Sequence, residues 1–131
     1  MIFLDTSAIY AWADAADANH HTAVQYLQAI LNRGEDLLTH NYVLLESIAL
    51  VQARLGLPAA TKLARDSKVF IVEWIDDELH AAGIRELERV KKRQVSLVDH
   101  ISFIVMRRRS VDVAFAFDPD FASSGFRLFK G

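Results

Sequence analysis

Short, wholly apolar runs alternate along this chain with longer segments in which apolar residues recur every three or four positions. Ile2-Phe3-Leu4 is apolar at consecutive positions and stops at Asp5-Thr6, after which Ala8, Ile9, Ala11 and Trp12 return at helical spacing. The pattern predicts strand, turn, helix. Beyond a small, polar stretch at 14–19, Ala23, Tyr26, Leu27, Ile30 and Leu31 form an amphipathic stripe that ends at Gly34, a residue suited to a helix C-terminus. Leu37-Leu38-Thr39 predicts a brief strand. Residues 41–55 predict a helix that stops at Gly56 and restarts at Pro58, and Val69-Phe70-Ile71-Val72 reads as the clearest strand of the chain. Asp76 is placed to cap a long helix whose Leu79, Ala82, Leu87 and Val90 face inward, with Lys91, Lys92 and Arg93 at its negative end. Ser96 opens a further helix to Arg109, Val113 to Phe117 follows as a buried strand, and Phe126 to Phe129 as a terminal one. Apolar strands separated by helices indicate an α/β fold whose mostly parallel sheet is covered on both faces.

Length and composition narrow this picture. A chain of 131 residues fits one domain, residues 1–131, around one core. Hydrophobic residues make up 52% and charged residues 24%, a globular balance. Fifteen Lys and Arg against seventeen Asp and Glu leave a net charge of -2, so no overall field draws the protein to nucleic acid or membranes, and any nucleic-acid contact is local. There is no cysteine, which excludes disulfides, zinc-thiolate sites and thiol nucleophiles. The five histidines lack metal-ligand spacing. With no apolar stretch of membrane-spanning length and no signal-like N-terminus, a soluble, cytoplasmic protein is expected.

The chemistry then rests on carboxylates. Asp5 and Asp118 end two predicted strands, and the carboxyl ends of strands are where open parallel sheets collect ligands. Asp5 also suits a helix N-cap, and Asp118 before Pro119 a turn. Glu46 lies in Tyr42-Val43-Leu44-Leu45-Glu46-Ser47-Ile48-Ala49-Leu50-Val51, apolar on nearly every helical face, so burial is expected. A buried carboxylate needs a metal, solvent at a cleft or a basic partner such as Arg54 or Arg107. Asp99 in Ser96-Leu97-Val98-Asp99 completes a capping box, yet its helix is broadly apolar as well. Four carboxylates converging on one cleft repel one another unless a multivalent cation compensates them, and all-oxygen ligation suits Mg²⁺ or Mn²⁺.

Four stretches, taken in order, carry a family resemblance: the N-terminal strand ending in Asp5-Thr6-Ser7; Asn41-Tyr42-Val43-Leu44-Leu45-Glu46; Ser96-Leu97-Val98-Asp99-His100-Ile101-Ser102-Phe103; and Ala116-Phe117-Asp118-Pro119-Asp120-Phe121. Their order, spacing and the chain length resemble the PIN-domain family, especially VapC-type toxins. The resemblance implies a three-layer α/β/α sandwich with a mostly parallel central sheet, and a Mg²⁺- or Mn²⁺-dependent endoribonuclease in which a metal-activated water attacks a phosphodiester. It assigns Asp5, Glu46 and Asp99 as the core metal-binding acids and Asp118 as the fourth. Thr6 matches a hydroxyl that holds a ligand carboxylate or water, and Ser96 and Asp120 stand close enough in sequence to support the acids. Val98 departs from the Thr or Ser of many relatives, and Pro119-Asp120 from a more usual basic or His-containing pair, which leaves open whether Asp118 or Asp120 supplies the last carboxylate. The resemblance further implies a homodimer, an RNA substrate and a small antitoxin partner.

Rival assignments fit less well. A haloacid-dehalogenase-type phosphatase requires a second Asp two residues after the first, where this chain has Ser7. A receiver-type domain requires paired early acids and a late Lys after a strand. A non-catalytic PIN module that binds RNA or protein remains the alternative, since fold does not fix activity. Arg89, Lys91, Lys92, Arg93 and Arg107 to Arg109 suit RNA phosphates, but they also suit the helix C-termini at which they fall.

Overall fold

The computed structural model describes residues 1–131. Five strands, β1 (Ile2–Leu4), β2 (Leu37–His40), β3 (Ile71–Glu73), β4 (Val113–Phe115) and β5 (Arg127–Leu128), pair in parallel in the order β3-β2-β1-β4-β5. Every residue of β1 and β2 is buried. Successive side chains of a strand point to opposite faces, so both faces of the sheet centre are covered. The covering helices are α1 (Thr6–Ala13), α2 (His20–Asn32), α3 (Asn41–Leu55), α4 (Leu57–Asp66), α5 (Asp77–Val90), α6 (Leu97–Arg108) and α7 (Asp120–Ser123). α1 packs on α2 and α3, α3 on α4, and α5 on α6. The result is the α/β/α sandwich, and its sheet is wholly parallel.

Local chemistry explains most boundaries. The Asp76 carboxylate accepts from Leu79 N at the start of α5, and Ser96 with Asp99 forms a reciprocal capping box at the start of α6. Gly34, at φ 68°, follows α2 in the left-handed region open to glycine. Gly83 matters for a different reason. A Cβ there would lie 2.5 Å from Ile101 Cγ1, so its absence lets α5 close onto α6, the helix that carries Asp99.

Several expectations require correction. Val69 belongs to a 3₁₀ turn (Ser67–Val69) that extends α4 and is 78% exposed; pairing with β2 begins only at Ile71, opposite Leu38. Leu31 and Leu87, assigned to inward stripes, are exposed, because α2 and α5 are each buried along a narrower strip than the spacing suggested. Ala116 and Phe117 fall outside β4. The ladder ends at Leu4↔Phe115 because the neighbouring chain turns into α1 at Asp5; Asp5 N then donates to Phe115 O, and Phe117 N to the Ser7 hydroxyl. Glu46 is exposed and without an ion pair, although its helix is apolar around most of its girth. The apolar residues of α3 serve two neighbours, α1 and α4, and Glu46 sits with Leu45 and Ala49 on the strip that remains.

Beneath the carboxyl ends of β1 and β4, aromatic rings join the elements that carry the acids. Phe121 of α7, fully buried, packs edge-on to Phe103 of α6 with centroids 5.0 Å apart and lies 6.0 Å from Phe3 of β1. His40, at the end of β2, is a further tie. Its Nδ1 accepts from Val43 N to cap α3, which leaves the proton on Nε2 to donate to Ser102 Oγ (2.8 Å), and Ser102 donates to Val98 O within α6. Burial holds the imidazole neutral, with its pKa lowered to about 3.

Candidate metal centre

The strand order reverses direction at β1, which has β2 on one side and β4 on the other. Crevices at such a switch point, beyond the carboxyl ends of the strands, are where open α/β sheets bind ligands. Asp5 leaves β1 there, Asp118 follows β4, and the capping box of α6 brings Asp99 to the same edge.

Each of these three acids has one oxygen committed to the protein and one without a protein partner. Asp5 Oδ2 accepts from Ser7 N at 3.1 Å and Ser7 Oγ at 2.6 Å, capping α1, and Oδ1 accepts nothing. Asp99 Oδ2 accepts from Ser96 N at 2.9 Å, while Asp99 N donates to Ser96 Oγ; again Oδ1 is free. Asp118 Oδ1 accepts from Asp120 N at 2.9 Å, and its Oδ2 is free. Capping and ligation, alternatives in the sequence, are thus compatible at every position.

Asp99, Asp118 and Asp120 offer carboxylate oxygens that all lie within 4.8 Å of one another. Where the sequence left a choice between Asp118 and Asp120, the fold brings both to the cluster. Asp5, 4% exposed, stands deeper. Burial raises its pKa to about 6 against the pull of the Ser7 hydrogen bonds, and the charges of Asp99 and Asp118 add to the rise. Asp99 is raised, first by burial and then by Asp118 and Asp120 after the counteracting Ser96 backbone bond, and Asp120 is raised by desolvation and by Asp118. Glu46 stands apart: it is exposed on α3 and is not among the charges that raise the other acids.

The residues fit a hard divalent cation. Mutually repelling carboxylates with free oxygens form an all-oxygen donor set of the kind Mg²⁺ and Mn²⁺ take. Beside Asp5, the buried Thr6 Oγ1 has no hydrogen-bond partner, and an orphaned buried hydroxyl is costly unless a ligand or its water satisfies it.

A family model described as PIN domain matches residues 2–126. The chain belongs to the PIN-domain family. Among curated PIN proteins it is similar to the 23S rRNA-specific endonuclease VapC20 of Mycobacterium tuberculosis, in strains CDC 1551 / Oshkosh and H37Rv alike, with 38% identity over 128 residues, 96% of this chain and 95% of the relative. The crystal structure of M. tuberculosis VapC20, described as a sarcin-ricin loop cleaving toxin, superposes with a TM-score of 0.89 at 36% identity over the whole of both chains. FitAcB from Neisseria gonorrhoeae shares the fold, with a TM-score of 0.69 at 16% identity over 99% of this chain and 97% of that one.

Sequence reasoning missed Ser7. Its hydroxyl donates to Asp5 and accepts from Phe117 N at 2.9 Å, so one side chain fixes the first acid and anchors the segment leading to Asp118. The only local signal is a hydroxyl two residues after an Asp that starts a helix, the signature of a capping turn. Because the Ser7 hydrogen bonds favour ionised Asp5, Ser7→Ala is expected to raise the Asp5 pKa further. A cation needs the ionised carboxylate, so Mn²⁺ affinity falls as pH drops through that pKa, and the variant is expected to lose Mn²⁺ about one pH unit higher than wild type. Mn²⁺ titrations between pH 5 and 8 check this; coincident curves would remove Ser7 from the site.

Proposed function

We propose that this chain is a Mg²⁺- or Mn²⁺-dependent endoribonuclease, acting as one unit over residues 1–131, and that it is the toxin of a toxin–antitoxin pair. The observation that carries this reading is the set of acids at the sheet switch point, each with one oxygen engaged in local structure and one free, beside the unpartnered Thr6 hydroxyl.

Asp5, Asp99, Asp118 and Asp120 would hold the cation, and Glu46, exposed on α3, would join them only on binding of the cation or the RNA. When bound, the cation supplies an activated water and charge neutralisation for in-line displacement at a phosphodiester. The protein contributes rigidity. Asp5 and Asp99 are locked by their own helix caps and so need no reorganisation as charge develops. Thr6 is placed to orient a water or a neighbouring carboxylate through its free hydroxyl. Burial around Asp5 lowers the local dielectric, which strengthens every charge interaction there.

The similarity to VapC20 supports structured ribosomal RNA as substrate, with the 23S sarcin-ricin loop as the first to try. A small antitoxin partner and a homodimer belong to the same proposal, on the resemblance to VapC-type toxins. No helix is long and apolar enough to cross a membrane, which accords with a cytoplasmic site of action. The test is incubation of purified protein with total RNA and with isolated 23S rRNA in Mn²⁺, Mg²⁺ or EDTA, with cut sites mapped by primer extension. Metal-dependent cutting at a defined position is expected. A protein that neither binds Mn²⁺ nor cuts would leave the non-catalytic PIN module as the better reading.

A further inference from the structure

A cavity of about 190 Å³ opens among α5, α6 and α7, directly beside the acids. Its lining includes Arg89, Lys92, His100, Arg107 and Asp120, and Asp120 belongs at the same time to the carboxylate group described above. The cavity and the candidate metal centre are therefore neighbours that share a wall. At this size it is smaller than the pockets that take whole drug-sized ligands, and suits a single compact group.

The basic runs of the sequence divide according to this cavity. Arg108 and Arg109 are held away from it by ion pairs with Glu78 and Glu73. Lys92 and Arg107, which line it, form no ion pair. Arg107 is kept in position by donating to Ser124 O and by lying over the Phe126 ring, 5.2 Å from its centroid. Arg89 is paired to Glu86, the other acid of the lining, so that acid is already compensated. His100, 5% exposed, forms part of the wall, and its Nε2 is buried without a hydrogen-bond partner. In the Nε2–H tautomer this nitrogen has an N–H to give, and in the other tautomer it accepts.

We infer that this cavity is a subsite for an RNA backbone phosphate flanking the one that is cleaved, held by Lys92 and Arg107 with His100 as a further donor. The inference rests on the nuclease reading of the adjacent acids and names how the substrate is held there. Its physical logic is charge separation over a short distance. The acids attract a cation but repel the RNA backbone, and a chain with a net charge of -2 has no general field to overcome that repulsion. Two unpaired cations beside the acids place a phosphate anchor where it also sets the register of the strand, since phosphate contacts position a nucleic acid without reading its sequence.

The experiment has two arms. In EDTA, inorganic phosphate is titrated into protein with ¹⁵N-labelled histidine, and the His100 side-chain signals are followed. In Mn²⁺, cleavage of a 23S rRNA stem-loop is measured for wild type, Lys92→Gln, Arg107→Gln and, as control, Arg108→Gln. Expected are a phosphate-dependent shift at His100, and a KM that rises several-fold more than kcat falls in the Lys92 and Arg107 variants. The slope of log KM against log salt should drop by about 0.7 for each lost phosphate contact, a change that mere structural damage does not produce. Arg108→Gln should match wild type in both. Lys92 is exposed and outside the helices, so its variant guards against misfolding in the Arg107 variant. If the wild type cuts RNA but the His100 signals do not move and KM and slope are unchanged in Lys92→Gln, the subsite is wrong while the nuclease reading stands. If phosphate binds and the RNA parameters do not change, the cavity takes a free anion or an acidic peptide, and the RNA assignment is overturned. If the wild type cuts no RNA, the nuclease reading fails, and the RNA assignment falls with it.

Discussion

Asp5→Asn is expected to abolish metal-dependent RNA cleavage, by at least about 10³-fold, and at the same time to make the metal-free protein more stable at pH 7. The loss of activity follows because the carboxylate is the deepest of the acids and the amide cannot supply its charge to a cation, an interaction of several kcal/mol in a low-dielectric site. The gain in stability follows from the raised pKa. Asp5 titrates near 6 in the fold and near 3.8 in the unfolded chain, so between those values the native state binds more protons than the unfolded one. Stability of the metal-free protein therefore falls as pH rises through this window, and above it the buried charge costs about 2–3 kcal/mol. Asparagine removes that cost, and its carbonyl oxygen still accepts from Ser7 N and Ser7 Oγ, so the cap of α1 survives. Thermal unfolding in EDTA should show the Asp5→Asn variant melting above wild type at pH 7 and level with it near pH 4. Excess Mn²⁺ should stabilise wild type and leave the variant unmoved. A variant that still cuts RNA in Mn²⁺, or a wild type indifferent to Mn²⁺, would contradict the assignment of Asp5 to the metal.

Phe121→Ala should cause the largest loss of stability from a single side chain near the site, about 3–5 kcal/mol. The ring is fully buried, and its contacts with Phe3 and Phe103 span α7, β1 and α6. Phe3 is two residues before Asp5, Phe103 one helical turn after Asp99, and Phe121 next to Asp120. The void left by the ring lies under the acids. For a domain whose total stability is on the order of 5–15 kcal/mol, such a loss lowers Tm by roughly 10–20 °C. Mn²⁺ affinity of the folded fraction should fall as well, because the acids lose their common support. Phe121→Leu, which refills most of the volume, should recover much of both. Differential scanning calorimetry and Mn²⁺ titration on the two variants measure this; equal Mn²⁺ affinity in Phe121→Ala and wild type would show that the acids are positioned independently of the aromatic cluster.

What the sequence made legible was what local rules govern. The caps at Asp76 and Ser96, the stop at Gly34 and the strands that begin at Ile2 and Leu37 each depend on residues within a few positions, and each was readable. The places of Asp5, Asp99 and Asp118 were readable for the same reason, since they follow strands or open helices. Contacts between distant segments were not. The Ser7 hydroxyl serves a backbone amide of residue 117, and nothing near Ser7 announces it. The expected burial of Glu46 fails because α3 divides its apolar surface between α1 and α4 and leaves one strip open. Val69 was misread because a β-branched residue was credited to a strand that its neighbour in the sheet could not yet pair.

The parallel neighbours of β1 are β2 and β4, so the central strand is laid down first and flanked on its second side only late. During synthesis the ribosome makes Asp5 before the other acids of the site, and Asp118 and Asp120 only after every strand but β5. Until that later segment emerges, Asp99 is the only one of the clustered acids already made. A chain released before that point carries Asp5 and Asp99 without Asp118 and Asp120, so the carboxylate group is complete only once the ribosome has passed residue 120.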